Sequence, residues 1–333
     1  MSLSSMPTRS PRERRGSPKY VPPTVLDKDE PKLNAVVDGL VHARMVQRRH
    51  PLRWIAAGVV LLLIAVVAQA VVTNPNFGWS LVGQYLFDKE ILSGLGVTIE
   101  LTLTVMVIAI GLGVVLALMR LSENPLLRSA AAAYVWAFRG VPTLVQIIFW
   151  FNLGALFPIV GFGIPFGPEL ISGSANNFVT PLVAANLGLG LCEAAYMAEI
   201  VRSGVLGVDA GQMEAASAVG LTRMQTMRVI VLPQAMRIII PPTGNEVIGM
   251  LKYTSLASVI SVTELLQSSQ NIYQRNFETI PLLVVASIWY LVLTTLLTIG
   301  QRFVERRLGR GVGRAQPRRR WRRPFVRATS ALH

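Results

Sequence analysis

Apolar runs about as long as the ~20 residues that a ~30 Å bilayer core requires alternate with shorter polar stretches along most of the chain. Trp54 to Val72 is uncharged throughout and predicts a first membrane span. Asn74-Pro75-Asn76 breaks it, and Asn74 to Glu90 is polar and aromatic. Ile91 to Met119 predicts a second span, with Glu100 set among Thr98, Thr102 and Thr104. Arg120 to Arg139 reads as a surface helix that turns at Arg139-Gly140-Val141-Pro142, and Val141 to Val160 as a third span. After a Gly- and Pro-rich loop from Gly161 to Asn177, Phe178 to Val201 predicts a fourth span despite Glu193 and Glu199. Ala235 to Ile260 contains Pro241-Pro242, Asn245, Glu246 and Lys252, so it predicts a broken fifth span sheltered by its neighbours. Ser261 to Thr279 is polar, and Ile280 to Gly300 predicts a sixth span.

One polar insert stands out from this alternation, Gly204 to Pro233. Asp209 suits a helix N-cap with Gln212 three residues on, Gly220 suits a C-terminal stop, and Thr222 with Gln225 repeats the capping pattern before Pro233 ends the second piece. Two short helices hinged at glycine are expected, an elbow of the kind a membrane protein presents to a partner. Small side chains at Ala215, Ala216, Ser217 and Ala218 would let such a helix approach a partner closely. Glu214 and Arg223 or Arg228 would supply docking charges.

Composition agrees with an integral membrane protein: of 333 residues, 52% are hydrophobic and 15% charged, against about 25% charged in ordinary soluble domains. The net charge of +14 would suggest nucleic acid in a soluble protein, but its distribution is topological. Placing the N-terminus inside puts 29 of the 32 Lys and Arg on one side, and the short loops alone divide seven to two. The positive-inside rule then makes both termini and the elbow cytoplasmic. Residues 1–53 are rich in Pro, Ser, Arg and Lys, which predicts a largely disordered cytoplasmic tail, with either an interfacial helix or plain linker over Leu33 to Arg49. No apolar core of a signal peptide precedes Trp54. The expected organisation is therefore tail 1–53, an extra N-terminal span 54–73, a membrane domain 91–304 with the loop 204–233, and a basic cytoplasmic tail 305–333. The run Arg318 to Arg323 around Trp321 reads as a solvated tail near lipid head groups, with no nucleic-acid partner.

Within the elbow, Glu214-Ala215-Ala216, Gly220, Ile230 and Leu232-Pro233 resemble, in identity and spacing, the EAA loop of permease subunits of ATP-binding-cassette importers. Gly94-Leu95, Thr98, Arg139 to Pro142 with Gln146, Ala194 to Ile200, Gly211-Gln212 and Lys252 to Leu256 are similar to the polar amino acid permeases of histidine, glutamine and glutamate type. Tyr253 departs from the Asp that usually follows the lysine. The resemblance covers roughly Gly94 to Val304. It implies an all-α fold, a five-helix type I importer core plus one extra N-terminal span, in a bacterial inner membrane. It further implies a dimer of ATP-binding subunits receiving the elbow through Gly211, Glu214, Ala215, Ala216, Gly220, Ile230, Leu232 and Pro233. A second permease chain (the same or a paralogue), an extracytoplasmic solute-binding protein and an amino acid substrate complete the implied assembly. No Gly-x-x-x-x-Gly-Lys-[Ser/Thr] occurs, so no P-loop cradles ATP in this chain. No cofactor is expected here; ATP and magnesium would belong to the partner ATPase.

Ionisable side chains at membrane depth cost about 2.5–3.5 kcal/mol on insertion scales, so Glu100, Glu193, Glu199, Glu246 and Lys252 need a reason. Asn186 and Glu193 are seven residues apart and share a helix face; Glu100, Thr104 and Gly111 form another stripe. With Thr98, these are the candidates for a substrate path, and an acidic lining would favour a cationic group. Glu199 lies three residues before Arg202, the spacing of an intrahelical ion pair, and with Lys252 these form a structural or gating set. An ion-coupled secondary transporter would also use buried carboxylates, but it needs no docking loop. A membrane enzyme would need a catalytic or metal cluster. The histidines, His42, His50 and His333, all fall in terminal regions, Cys192 is alone, and no metal site is expected.

Overall fold

A computed structural model describes residues 51–163 and 169–308. The expectations for the N-terminal tail up to residue 50 and for the basic tail from 309 onward lie outside the described residues. Among the described residues, 51–62 at the start of helix α1 fall in one unit and 63–308, with the packed core, in another.

The order is α1 (Pro51–Thr73), α2 (Trp79–Tyr85), α3 (Lys89–Leu121), α4 (Pro125–Gly140), α5 (Thr143–Phe151), an antiparallel ribbon β1 (Ile159–Gly163) and β2 (Glu169–Ser174), and α6 (Pro181–Leu206). The elbow follows as α7 (Ala210–Ala218) and α8 (Arg223–Thr226), and a π-helical segment Met227–Val231 runs directly into α9 (Leu232–Tyr253). A 3₁₀ segment Thr254–Ile260, α10 (Leu265–Asn276) and α11 (Thr279–Leu308) complete the described chain. Local sequence sets the starts. Asp88, Asn124, Thr180 and Glu264 each accept a hydrogen bond from a first-turn amide, with proline near the start of α4 and α6.

Helix α3 packs against α6 through small residues. Ala109, Gly113 and Ala117 on α3 and Ala184, Ala185, Ala194, Ala195 and Ala198 on α6 are buried. A Cβ on Gly113 would stand 2.5 Å from that of Met197, and one on Gly188 would stand 2.7 Å from the Cα of Ile147 in α5. Membrane helices have no hydrophobic drive toward each other, and close backbone approach supplies the dispersion contact that replaces it. A second cluster, Val82, Ile91, Leu265, Leu282 and Val285, joins α2, α3, α10 and α11.

Four of the described helices are long and apolar enough to cross a membrane, or five if the pair α4–α5, bent by 99°, counts as one. The expected third span, Val141 to Val160, is not one helix. Pro142 stops α4 and opens α5, which ends at Asn152 after nine residues. The fifth is long enough at 22 residues but too polar to pass on composition. It is also not broken at Pro241-Pro242: the helix runs through both prolines and gives way to the 3₁₀ segment at Thr254. The Gly161 to Asn177 loop holds most of the β ribbon, and the polar Ser261 to Thr279 stretch holds α10. Its buried face, Leu265, Ser268, Ser269 and Ile272, has helical period but is half serine, so hydropathy alone passes over it.

Gly188→Ala forces the α5–α6 contact apart and should lower stability by about 1–3 kcal/mol. Gly111→Ala, where a Cβ meets nothing within 4 Å, should be neutral or stabilising by up to ~1 kcal/mol. Thermal unfolding of both purified variants in detergent checks the contrast.

Candidate functional site: the elbow and the polar stripes of the membrane helices

The elbow is built by its caps. Asp209 accepts from the Gly211 amide at 2.8 Å and starts α7. Gly220 takes φ +82°, a left-handed conformation that suits glycine. The Leu221 amide then donates back to the Ala216 carbonyl at 3.1 Å. Thr222 and Gln225 form a reciprocal capping box that starts α8. Pro233 does not end the second piece. It lies two residues past the π segment, inside one continuous helical path formed by α8, the π segment and α9.

Gly211, Glu214, Ala215, Gly220, Leu232 and Pro233 are exposed, and Ile230 is half-buried. Ala216 is buried, so the small-residue stripe splits between an outer face and an inner one. Met213, Val219, Met224 and Val229 add exposed apolar surface to the elbow and the π segment after it. Arg223 is almost fully exposed and pairs with the similarly exposed Glu123 in the α3–α4 turn, a surface pair that leaves it accessible. The guanidinium holds the Glu123 carboxyl below the usual carboxylate range.

Above the elbow, Glu199 pairs with Arg202 at 3.2 Å and also with Arg120 of α3. A single carboxylate thus fastens the α3 and α6 ends that flank the elbow. Lys252 is exposed at the far end of α9, and its carbonyl accepts from Ser255 Oγ at 2.7 Å.

The membrane candidates fall into different surroundings. Glu193 is 4% exposed on α6, and its Oε1 has no hydrogen-bond partner. Asn186, two turns earlier on the same helix, donates Nδ2 to the Leu182 carbonyl at 2.9 Å and leaves a buried Oδ1 unpartnered. Glu246 is half-buried on α9. Glu100 and Thr104 are exposed on α3, where Thr104 donates to the Glu100 carbonyl at 3.0 Å. The two stripes therefore do not form one lining within a single chain. Thr98 is fully buried: it donates to the Gly94 carbonyl at 3.1 Å and accepts from the Leu265 amide at 3.1 Å.

Sequence reasoning missed the group beside Thr98. Glu264 is fully buried and N-caps α10, accepting from the Leu266 and Gln267 amides at 3.0 and 2.9 Å and from the Tyr290 hydroxyl at 2.8 Å. One carboxylate so holds α10 and α11 together beside α3. Among the described residues, no cluster of three metal-ligating side chains occurs.

An exposed, capped elbow continuous with a polar helix, beside close-packed membrane helices carrying unpartnered buried carboxylate and amide oxygens, defines a transport subunit. The family model for the binding-protein-dependent transport system inner membrane component matches residues 109–310, and the chain belongs to that family, the permease subunits of ATP-binding-cassette importers. It is a transport component rather than an ATPase. The arginine transport system permease protein ArgU of Corynebacterium glutamicum is 45% identical over 264 residues, covering 79% of this chain and 82% of that protein. The L-cystine transport system permease protein TcyB of Bacillus subtilis (strain 168) is 37% identical over 238 residues, covering 71% and 93%. A solved structure titled "Crystal structure of an amino acid ABC transporter with histidines" aligns with a TM-score of 0.58 and 31% identity over 68% of this chain and 98% of that one.

A side-chain N-cap is worth about 0.5–2 kcal/mol, and burial raises the cost of losing one. Glu264→Ala should therefore destabilise the protein more than Asp209→Ala, whose cap is exposed. Melting temperatures of the two purified variants decide the order.

Proposed function

We propose that the chain forms the translocation path of an ATP-driven importer for a polar amino acid with a cationic side chain, in a bacterial inner membrane with both termini cytoplasmic. On this reading residues 1–53 and 305–333 are cytoplasmic tails, 54–73 is an extra span, and 91–304 is the permease domain with its coupling loop at 204–233. The observation that carries the substrate class is Glu193, a buried carboxylate with a free oxygen, on one helix face with the free Asn186 oxygen. A guanidinium, ammonium or imidazolium would supply the donors these acceptors lack and a charge that matches the carboxylate. The arginine-permease relative supports the same class. Glu100 and Thr104, exposed on a single chain, would line the path where a second permease chain, identical or paralogous, completes it.

Energy enters at the elbow. The Glu214-Ala215-Ala216 to Pro233 pattern lies on exposed backbone continuous with α9, so a partner that closes around ATP and magnesium can push on a helix reaching into the membrane. Two ATP-binding subunits would take the elbows, and an extracytoplasmic solute-binding protein would deliver the amino acid.

Uptake into proteoliposomes holding the permease, its ATPase and the binding protein tests the reading. Glu193→Gln should cut arginine, lysine or histidine uptake by about tenfold or more, the size of a lost hydrogen bond to a charged group, with less effect on glutamine. Equal effects on both would remove the selectivity role, and uptake driven by protons without ATP would overturn the importer. Glu214→Lys or Gly220→Asp should abolish transport while the protein still inserts; normal uptake would remove the coupling role.

A further inference from the structure

Helix α9 carries its weakest point in its middle. Pro241 and Pro242 have no N–H, so the carbonyls of Arg237 and Ile238 lose the donors a regular helix would give them. Such a turn bends more easily than its surroundings, and it lies between the elbow and the polar stretch around Glu246. At this turn one side chain from α11 closes on the helix. Gln301 Nε2 donates to the Pro241 carbonyl at 3.1 Å, to Asn245 Oδ1 at 3.0 Å, and to Glu305 Oε1 of its own helix at 2.8 Å. An amide nitrogen carries two hydrogens, so three acceptors share them, and Glu305 fixes the amide's orientation. The approach depends on Gly244: a Cβ there would sit 3.0 Å from the Gln301 Cγ and Cδ and 3.2 Å from Nε2.

We propose that Gln301 is a positioning residue that latches the double-proline turn of α9 to α11, so that a displacement at the elbow is passed along α9 instead of being absorbed at Pro241-Pro242. The inference rests on the permease reading for its role in transport, but the latch itself is a property of this chain. Glu305 and Gly244 serve it, the first by orienting the amide and the second by leaving room for it. None of the three touches the amino acid. The signature of losing them is ATP spent without transport, since the elbow still docks and the nucleotide sites still close.

Two measurements on the full-length protein test this. In nanodiscs, Gln301→Leu keeps the volume and removes the donors, and should speed amide hydrogen exchange over residues 243–247 by about fivefold, a coupling loss of ordinary size. In proteoliposomes with ATPase and binding protein, the ATP hydrolysed per amino acid moved should rise by about the same factor. Gly244→Ala should act in the same direction, and it decides the matter if Gln301→Leu does not reach the membrane. Unchanged exchange at 243–247 overturns the latch. An unchanged ratio, including one in which uptake and hydrolysis fall together, overturns its coupling role. If the unaltered assembly shows no ATP-driven uptake, the permease reading fails, while the exchange measurement still judges the latch.

Discussion

The structure depends on how closely two backbones can approach in a medium that gives apolar side chains no reason to associate. Helices α3 and α6 meet along Ala109, Gly113 and Ala117 on one side and a run of alanines on the other. At Gly188, α5 comes against the same helix, within van der Waals reach of its backbone. Leucine at these positions would be equally apolar and would separate the helices, because the drive here is contact and not exclusion of water. Fixing α3 to α6 fixes what each carries: Glu193 and Asn186 inside, Glu100 and Thr104 outside, and at the elbow end the Arg120–Glu199–Arg202 cluster.

Polar groups then do what apolar packing cannot. Each junction of the membrane domain is pinned by a side chain with several acceptor or donor positions: Glu199 between α3 and α6, Glu264 between α10 and α11 beside Thr98, and Gln301 between α9 and α11. In low dielectric such a group is costly when unpaired and firm when satisfied. The exceptions are therefore informative. Among the described residues four buried side-chain atoms keep no partner, Gln146 Oε1, Asn186 Oδ1, Glu193 Oε1 and Ser268 Oγ, and of these Asn186 and Glu193 stand on one helix face. A fold that satisfies Glu264 with three donors and leaves Glu193 open treats the two carboxylates as different kinds of group.

Much of this was legible in the sequence, because long apolar runs and caps are local signals. The helices around Trp54, Ile91, Phe178 and Ile280 follow from hydropathy, and the elbow from Asp209, Gly220 and the Thr222–Gln225 box. What was not legible depends on tertiary contact. The turn at Pro142 is legible, but the span expected after it ends at Asn152 and gives way to the β ribbon, and α10 hides a helical face that is half serine. Pro241-Pro242 reads as a break, yet the helix continues through it with α11 alongside. Glu264 sits in a stretch that hydropathy assigns to solvent, and its burial follows from α3, with 167 residues between Thr98 and its partner Leu265, and from α11, with 26 between Glu264 and Tyr290. The surface partner of Arg223, Glu123, is likewise supplied by the fold.

The π-helical segment Met227–Val231 has a consequence for how this region can vary. A π turn holds one residue more than an α turn, and each α-helical residue turns the chain by about 100°. Removing one residue there could restore regular winding, but it would rotate all of α9 by about that angle relative to the elbow. Gly244 would leave Gln301. Insertions and deletions should therefore be excluded from these five positions even where substitutions are accepted, because the segment sets the phase between the elbow and the membrane helix it continues into.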